Sequence, residues 1–163
     1  MQHFTSLEEL HLKETWGTIG AFDGVHRGHQ ALIQQLVNSA HSAKKPAVVI
    51  TFYPHPVVVL RRITTPFYLT SSEERVTLLG ELGVDYVVTL PFSFELSQLG
   101  AYQFMQMLTN HLGLRKLFTG HDFALGHNRE GNVERLREIG KELNYEVKVV
   151  PPIDFGGEIV SSS

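Results

Sequence analysis

The segment TWGTIGAFDGVHRGHQALI, running from Thr15 to Ile33, decides the fold. Its first part, Thr15 to Gly20, is a short β-branched and apolar run that reads as a strand. Its last part opens a longer stretch, Gly28 to His41, in which Ala31, Leu32, Gln35, Leu36 and Ser39 fall on one helical stripe. A tight, glycine-bearing turn joins the two.

The same alternation continues outward. Pro46 marks a boundary, and Ala47 to Phe52 (AVVITF) is a near-continuous apolar run suited to a strand buried on both faces of a parallel sheet. It ends at Tyr53-Pro54-His55-Pro56, where two prolines forbid further pairing. Val57 to Tyr68 gives no consistent reading, because VVVL has strand character and RRITTP loop character. Ser71 or Ser72, followed by Glu73 and Glu74, reads as a helix start; Val76, Leu79 and Leu82 supply the apolar face, and Gly83 the stop. Tyr86 to Leu90 is a strand broken by Pro91, and Ala101 to Leu112 is an amphipathic helix with Phe104, Met105 and Leu108 facing the core. A strand over Lys116 to Thr119, a polar loop over Gly120 to Glu130, a helix over Val133 to Leu143 and a strand over Glu146 to Val150 follow, closed by Pro151 and Pro152. These elements predict an α/β fold: a doubly wound parallel sheet of about five strands, since each parallel crossover consumes a helix. Ligands of such sheets sit at the carboxyl ends of the strands. The loops that leave the strands at Gly20, Tyr53 and Gly120 are therefore the candidates.

Composition narrows the function classes. With 163 residues, 42% apolar and 19% charged, the chain is expected to form a single domain, and disordered and low-complexity classes are excluded. No cysteine is present, which removes disulfides, thiolate zinc sites and thiol nucleophiles. Fourteen Lys and Arg against seventeen Asp and Glu give a net charge of −3, so there is no global basic field for nucleic acid and no polybasic stretch for a membrane. The opening MQHFTSLEELHLKE lacks the cationic start and apolar core of a secretory signal. The runs Ala47 to Ile50 and Val57 to Leu60 are far short of the ~20 residues that span a bilayer. The expectation is a cytoplasmic protein without a membrane partner; the oligomeric state is not legible.

The turn itself carries chemistry. Gly20-Ala21-Phe22-Asp23-Gly24-Val25-His26-Arg27-Gly28-His29 leaves a strand and opens a helix. Free amide groups and the helix dipole make that point an anion site without any net positive charge, and phosphate is the obvious candidate. His26 and His29 flank Gly28, which has no side chain to crowd an approaching nucleotide. Two imidazoles can donate hydrogen bonds to charge building on a phosphorus centre or a leaving pyrophosphate, with no covalent intermediate. A histidine-rich helix cap is the plain alternative. The ordered succession of strand, glycine turn, Asp23, both histidines and helix weighs against it.

This segment resembles the nucleotide-binding signature of the FMN adenylyltransferase domain of prokaryotic bifunctional riboflavin kinase/FAD synthetases, within the H-x-G-H nucleotidyltransferase superfamily. The likeness continues through TFYPHP (Thr51 to Pro56), YLTSSEERVTLLGELGVDYVV (Tyr68 to Val88), GHDFALGHNREGNVERL (Gly120 to Leu136) and the final IVSSS. H-x-G-H alone marks only the superfamily; F-D-G-x-H-x-G-H together with T-F-x-P-H-P and G-x-D-F-x-x-G is far more particular. The resemblance implies a Rossmann-like nucleotidyltransferase fold and transfer of AMP from ATP to the phosphate of FMN, giving FAD and pyrophosphate. It implies that His26 and His29 contact the ATP phosphates as the catalytic pair. It implies too that Gly20, Ala21, Phe22, Asp23, Gly24 and Gly28 form the nucleotide-binding turn, with Asp23 bracing it, since a carboxylate facing triphosphate would repel it. Mg2+ is expected to offset the triphosphate charge, although no dedicated carboxylate cage is visible.

The remaining loops follow the same resemblance. Phe52, Pro54, His55 and Pro56 end a strand in a stiff apolar turn that either borders a flavin ring, as the family implies, or is a proline-stiffened strand end. Phe123 is placed on the flavin side as well. Gly120 and Asp122 match the position that meets the nucleotide, and Arg129 either reaches phosphate or is an ordinary solvated charge. Ala124 and Leu125 stand where an aromatic or basic residue is common in the family. The family continues beyond this point as I-S-S-T-x-I-R into a helix, whereas Ser161, Ser162 and Ser163 end the sequence. The expectation is a truncated nucleotide clamp with impaired turnover, and no riboflavin kinase domain. Alternative functions are a cytidylyltransferase acting on a small alcohol phosphate, against which the P-H-P and D-F loops argue, and a nucleotide-binding module without turnover. His3, His11, His41 and His111 show no ligand spacing and read as surface residues, Trp16 reads as packing, and Arg61 with Arg62 reads as solvated surface.

Overall fold

A computed structural model describes residues 1–20, 22, 27–53, 72–91, 93–121, 123–125, 130–151, 153–155 and 158–160. In chain order the elements are β1 (Gln2–Phe4), β2 (Thr15–Ile19), α1 (Arg27–Ser42), β3 (Ala47–Tyr53), α2 (Ser72–Glu81), β4 (Tyr86–Pro91), α3 (Phe94–Ser97), α4 (Ala101–Leu112), β5 (Leu114–Thr119), β6 (Ala124–Leu125), β7 (Gly131–Asn132), α5 (Val133–Leu143), β8 (Glu146–Val149), β9 (Ile153–Phe155) and β10 (Glu158–Val160).

Six of the strands form one sheet in the order β1-β4-β3-β2-β5-β8, and every neighbouring pair is parallel. The architecture is the α/β, Rossmann-like doubly wound sheet that the alternation of runs predicts. It has one strand more than expected, because Gln2–Phe4 pairs with Tyr86–Val88 at the sheet edge. Only tertiary register makes a strand of Gln-His-Phe, which carries no periodic signal of its own.

Alternation along the strands sends residues to two cores. Val49 and Val87 pack with Ile33 and Leu36 of α1 and Leu79 of α2, while Val48, Ile50 and Val88 pack with Met105 and Leu108 of α4 and Leu136 and Ile139 of α5. Phe104, Met105 and Leu108 are thus core residues, as their spacing predicts. Trp16 packs too: its ring lies 6.1 Å from that of Phe118, and Lys116 Nζ sits 4.6 Å above it.

Several boundaries differ from the expectation. The buried stripe of α1 is Leu32, Ile33, Leu36, Val37 and Ala40, with Gln35 and Ser39 on its flank; Ile33 and Val37 rotate the face by one residue. Pro91 does not break β4 but ends it, paired with Tyr53, where a missing N–H is tolerated. The polar loop after β5 contains the hairpin β6–β7, and β9 and β10 pair antiparallel near the end of the chain. The unassigned stretch Val57 to Tyr68 lies outside the described residues.

Candidate functional site

Strand order decides which loops meet. β2 lies between β3 and β5, and from β2 the chain winds one way through β3 and β4, then returns to β5 on the other side. The carboxyl ends of β2 and β5 therefore flank the switch point of the sheet, where ligands of doubly wound folds bind. Register puts Thr18 beside Phe118 and Ile19 beside Ile50, so Gly20, Phe52 and Gly120 emerge on one edge. The strand ends that lead into the three loops singled out by sequence thus share that edge.

The turn after β2 begins with a close approach. Gly20 N donates to Ile50 O at 3.0 Å, the last rung between the two strands. Phe22 then takes a left-handed conformation, with φ of 50°, and folds its ring back over Gly20. A Cβ on Gly20 would stand 2.8 Å from Phe22 Cζ, closer than side chains ever come, so only glycine accommodates this fold-back. The ring of Phe22 is buried in the core beneath α1. Its edge meets His29 at a centroid distance of 5.0 Å and an interplanar angle of 88°. His29 stands in the first turn of α1 and is only 5% exposed, because it extends the inward stripe of Ile33, Leu36 and Ala40 toward the helix start. Gly28 is helical, within the same turn.

On the β3 side, Phe52 is half-buried, pairs with Leu90, and places its ring 6.2 Å from Phe104. On the β5 side, Gly120 directly follows the strand, and Phe123 is half-buried against the core beneath α4 and α5. Ala21, Asp23, Gly24, His26, Pro54, His55, Pro56, Asp122, Arg129, Ser161, Ser162 and Ser163 lie outside the described residues.

Two side chains near this edge escaped the sequence reading. Glu130, read as part of a polar loop, accepts a hydrogen bond from Ala101 N at 2.8 Å and so caps α4, tying the end of the β5 loop to the helix on that face. Arg75, in the first turns of α2, is 2% exposed and donates from Nη2 to Phe52 O at 3.1 Å. Its EER context resembles a solvated charged turn, so nothing in the sequence signalled this burial.

The histidines set aside by spacing have structural partners. His3 Nε2 and Thr89 Oγ1 share a hydrogen bond of 2.8 Å; partial burial, and then the nearby Arg75 guanidinium, hold the imidazole below the usual histidine range. His41 Nε2 lies 2.7 Å from Asp85 Oδ2, and the rings of His11 and His111 are 6.3 Å apart. Among the described residues, no group of three or more His, Asp or Glu side chains is arranged to hold a metal ion. Nor, among them, is any helix long and apolar enough to cross a membrane.

Comparison with known proteins bears on the whole chain. A family model described as FAD synthetase matches residues 8–163. The bifunctional riboflavin kinase/FMN adenylyltransferase of Escherichia coli K12 is 36% identical over 147 residues, covering 90% of this chain and 47% of that protein. The protein of the same name from Pseudomonas fluorescens is also 36% identical over 147 residues, again 90% of this chain and 47% of its own. That from Listeria monocytogenes is 32% identical over 146 residues, 89% of this chain and 46% of its own. The chain thus spans about half the length of the curated relatives it matches. Among solved structures, that of a macrolide-efflux protein from Streptococcus pneumoniae superposes with a TM-score of 0.81, over 99% of this chain and 55% of that one. At 24% identity this likeness speaks for the fold alone.

Proposed function

Because this chain belongs to the FAD synthetase family over residues 8–163, we propose that it transfers the adenylyl group of ATP to FMN, forming FAD and releasing pyrophosphate. The observation that carries the reading is the shared edge: the β2 end at Gly20, the β3 end at Phe52 and the β5 end at Gly120 belong to three neighbouring strands. A reaction that joins two phosphate-bearing substrates needs a phosphate site with room for one partner on either side of it.

In this reading a phosphate oxygen of FMN attacks the α-phosphorus of ATP in line. The new P–O bond forms as the bond from the α-phosphorus to the bridging oxygen breaks, and pyrophosphate leaves with that electron pair. Gly20, whose own amide is bonded to Ile50 O, opens the turn, and amide groups of Ala21, Phe22, Asp23, Gly24 and Gly28, toward the positive end of α1, hold the phosphates. His26 and His29 donate to the charge that grows on the departing oxygens. The burial of His29 supports this role, since a hydrogen bond acts more strongly away from water. Gly120 and Asp122 take the nucleoside, Arg129 and the hydroxyls of Ser161, Ser162 and Ser163 add phosphate contacts, and Phe52, Pro54, His55, Pro56 and Phe123 border the flavin. Mg2+ belongs here as the triphosphate's own counter-ion. The cytoplasm, which supplies ATP and FMN, is the proposed location.

The test is FAD formation from FMN, ATP and Mg2+ by the full natural polypeptide carrying this chain, followed by chromatography. Product from the parent protein, and its loss by roughly 10²-fold or more in His26→Ala and His29→Ala, is the expected result. Absence of FAD, or CTP replacing ATP with indifference to flavin, overturns the reading.

A further inference from the structure

We propose that Glu130 is a positioning residue for the nucleotide side of the site: its carboxylate ties the hairpin β6–β7 to the first residue of α4 and so fixes the course of the chain that leaves β5 at Gly120. The inference rests on the adenylyl-transfer reading above and goes beyond it, to a side chain outside the strand ends and the histidine turn.

A helix start leaves amide groups without partners inside the helix, and a side chain just before the helix ordinarily accepts from them. At α4 that position is Gly100, extended at φ −70° and ψ 160°, with no side chain to offer. The acceptor comes instead from 29 residues further along, where Glu130 Oε1 receives Ala101 N at 2.8 Å. A Cβ on Gly100 would stand 3.0 Å from that oxygen, so a serine or aspartate there would crowd the carboxylate and cap the helix locally. The remote bond does what a local cap cannot, because it joins the helix to another element.

That element is the hairpin after β5. Its pairing is Ala124 with Asn132 and Leu125 with Gly131, too short a ladder to hold its place unaided. Gly131 lies so close to α4 that a Cβ there would come within 2.6 Å of Ala101 Cβ and 2.7 Å of Leu125 O. Asn132, next in the chain, accepts from Arg135 N at 2.9 Å and caps α5. Glu130, Gly131 and Asn132 thus seat the return strand on the starts of two helices. The outgoing strand follows from it: Leu125 pairs with Gly131, Phe123 packs against the core, and Phe123 N donates to Gly120 O at 3.4 Å, closing the turn whose sequence contains Asp122. Glu130 itself is exposed, so its removal opens no cavity. By charge alone a carboxylate near a phosphate site weakens nucleotide binding, whereas a tether strengthens it, and the two roles therefore predict opposite signs.

The test uses the full natural polypeptide and the variants Glu130→Ala, Glu130→Asp, Glu130→Gln and Glu130→Ala/Gly100→Ser, the last of which exchanges the remote cap for a local one. Steady-state FAD formation gives KM for ATP and FMN separately, calorimetry gives ATP binding without FMN, and thermal unfolding reports integrity. Glu130→Ala, and Glu130→Asp with its carboxylate one methylene short of Ala101, are expected to raise KM and Kd for ATP about fivefold or more, with KM for FMN within about twofold. Glu130→Gln keeps an acceptor at full reach and is expected to stay within about twofold of the parent protein for both substrates. The double variant is expected to regain the Tm lost in Glu130→Ala yet keep the raised KM for ATP, since a local cap steadies α4 and leaves the hairpin untied. Recovery of KM together with Tm in the double variant, unchanged or tighter ATP binding in Glu130→Ala and Glu130→Asp, or an equal rise in both KM values overturns the positioning role while leaving adenylyl transfer standing. If the alanine variants do not fold, Glu130→Asp against Glu130→Gln decides. If the parent protein binds ATP but forms no FAD, the function reading fails and calorimetry still decides on Glu130. If it does not bind ATP, both fail.

Discussion

The ring of Phe22 stands edge-on to the imidazole of His29, 5.0 Å between centroids and 88° between planes, although the two residues belong to different elements. The contact couples a backbone strain to a side chain proposed to act in catalysis: Phe22 holds a left-handed φ of 50°, unfavourable for any residue with a Cβ, and the burial of its ring offsets that cost. Phe22→Ala keeps the strain and removes the offset. It is expected to destabilise the fold by about 3–5 kcal/mol in urea unfolding. Phe22→Leu, which refills much of the volume but not the ring edge, is expected to stay folded and lower kcat for FAD formation roughly tenfold by loosening His29. An unchanged kcat in folded Phe22→Leu would show that the aromatic edge does not hold the imidazole.

Gly20 is the floor on which that ring rests. A methyl group there would meet Phe22 Cζ at 2.8 Å and two further ring atoms at 3.0 Å, so Gly20→Ala must push the ring off its seat. Overpacking of this kind costs about 1–3 kcal/mol. The double variant Gly20→Ala/Phe22→Leu is expected to cost less than the sum of the single changes, because the smaller side chain removes the clash. Additivity of the two unfolding free energies would rule the contact out as the reason for glycine.

How far sequence alone led is visible in single residues. Alternation of apolar runs gave the parallel sheet, since Val48 and Val49 are each buried, against opposite helical layers. It missed β1, because Gln2, His3 and Phe4 become a strand only through the register that β4 offers. It placed the α1 stripe one residue off, since two adjacent apolar pairs, Leu32-Ile33 and Leu36-Val37, leave the facing direction to be set by packing. For the site, the turn from Gly20 to His29 stood out in the sequence because strand, glycines, two imidazoles and helix follow one another in order, as the other histidines do not. The burial of Arg75 did not, because its contact with Phe52 O depends on how α2 packs against the end of β3, which no local pattern carries.

His3 offers a pH-dependent observable. Its imidazole pKa is held below the ordinary histidine value, first by burial and then by the charge of Arg75. The unfolded chain therefore binds more protons than the folded one between the two pKa values. Stability falls as pH drops through about 6.5 and levels off once the folded imidazole also protonates. His3→Gln is expected to flatten that part of the Tm-against-pH curve, measured by calorimetry between about pH 5 and 7. A steeper curve in His3→Gln than in the parent protein would contradict the depressed pKa.

Asp85 ties three elements together at the opposite, amino end of the strands. Its Oδ2 accepts from Ala47 N at 2.8 Å and lies 2.7 Å from His41 Nε2 in the last turn of α1, while Asp85 N donates to Ala47 O at 2.9 Å. The side chains of His41 and Asp85 are 47% and 39% exposed, so the ion pair itself contributes little. The amide bond at the start of β3 matters more, because no upstream residue of the strand shields it. Asp85→Ala is expected to lower stability by about 1–2 kcal/mol, and Asp85→Asn, which retains an acceptor oxygen for Ala47 N, by less than half of that. Both are expected to leave KM for FMN and ATP unchanged, since the substrates belong at the other ends of the strands. Equal losses in the two variants, abolished by raised salt, would assign the effect to charge instead of to the strand amide.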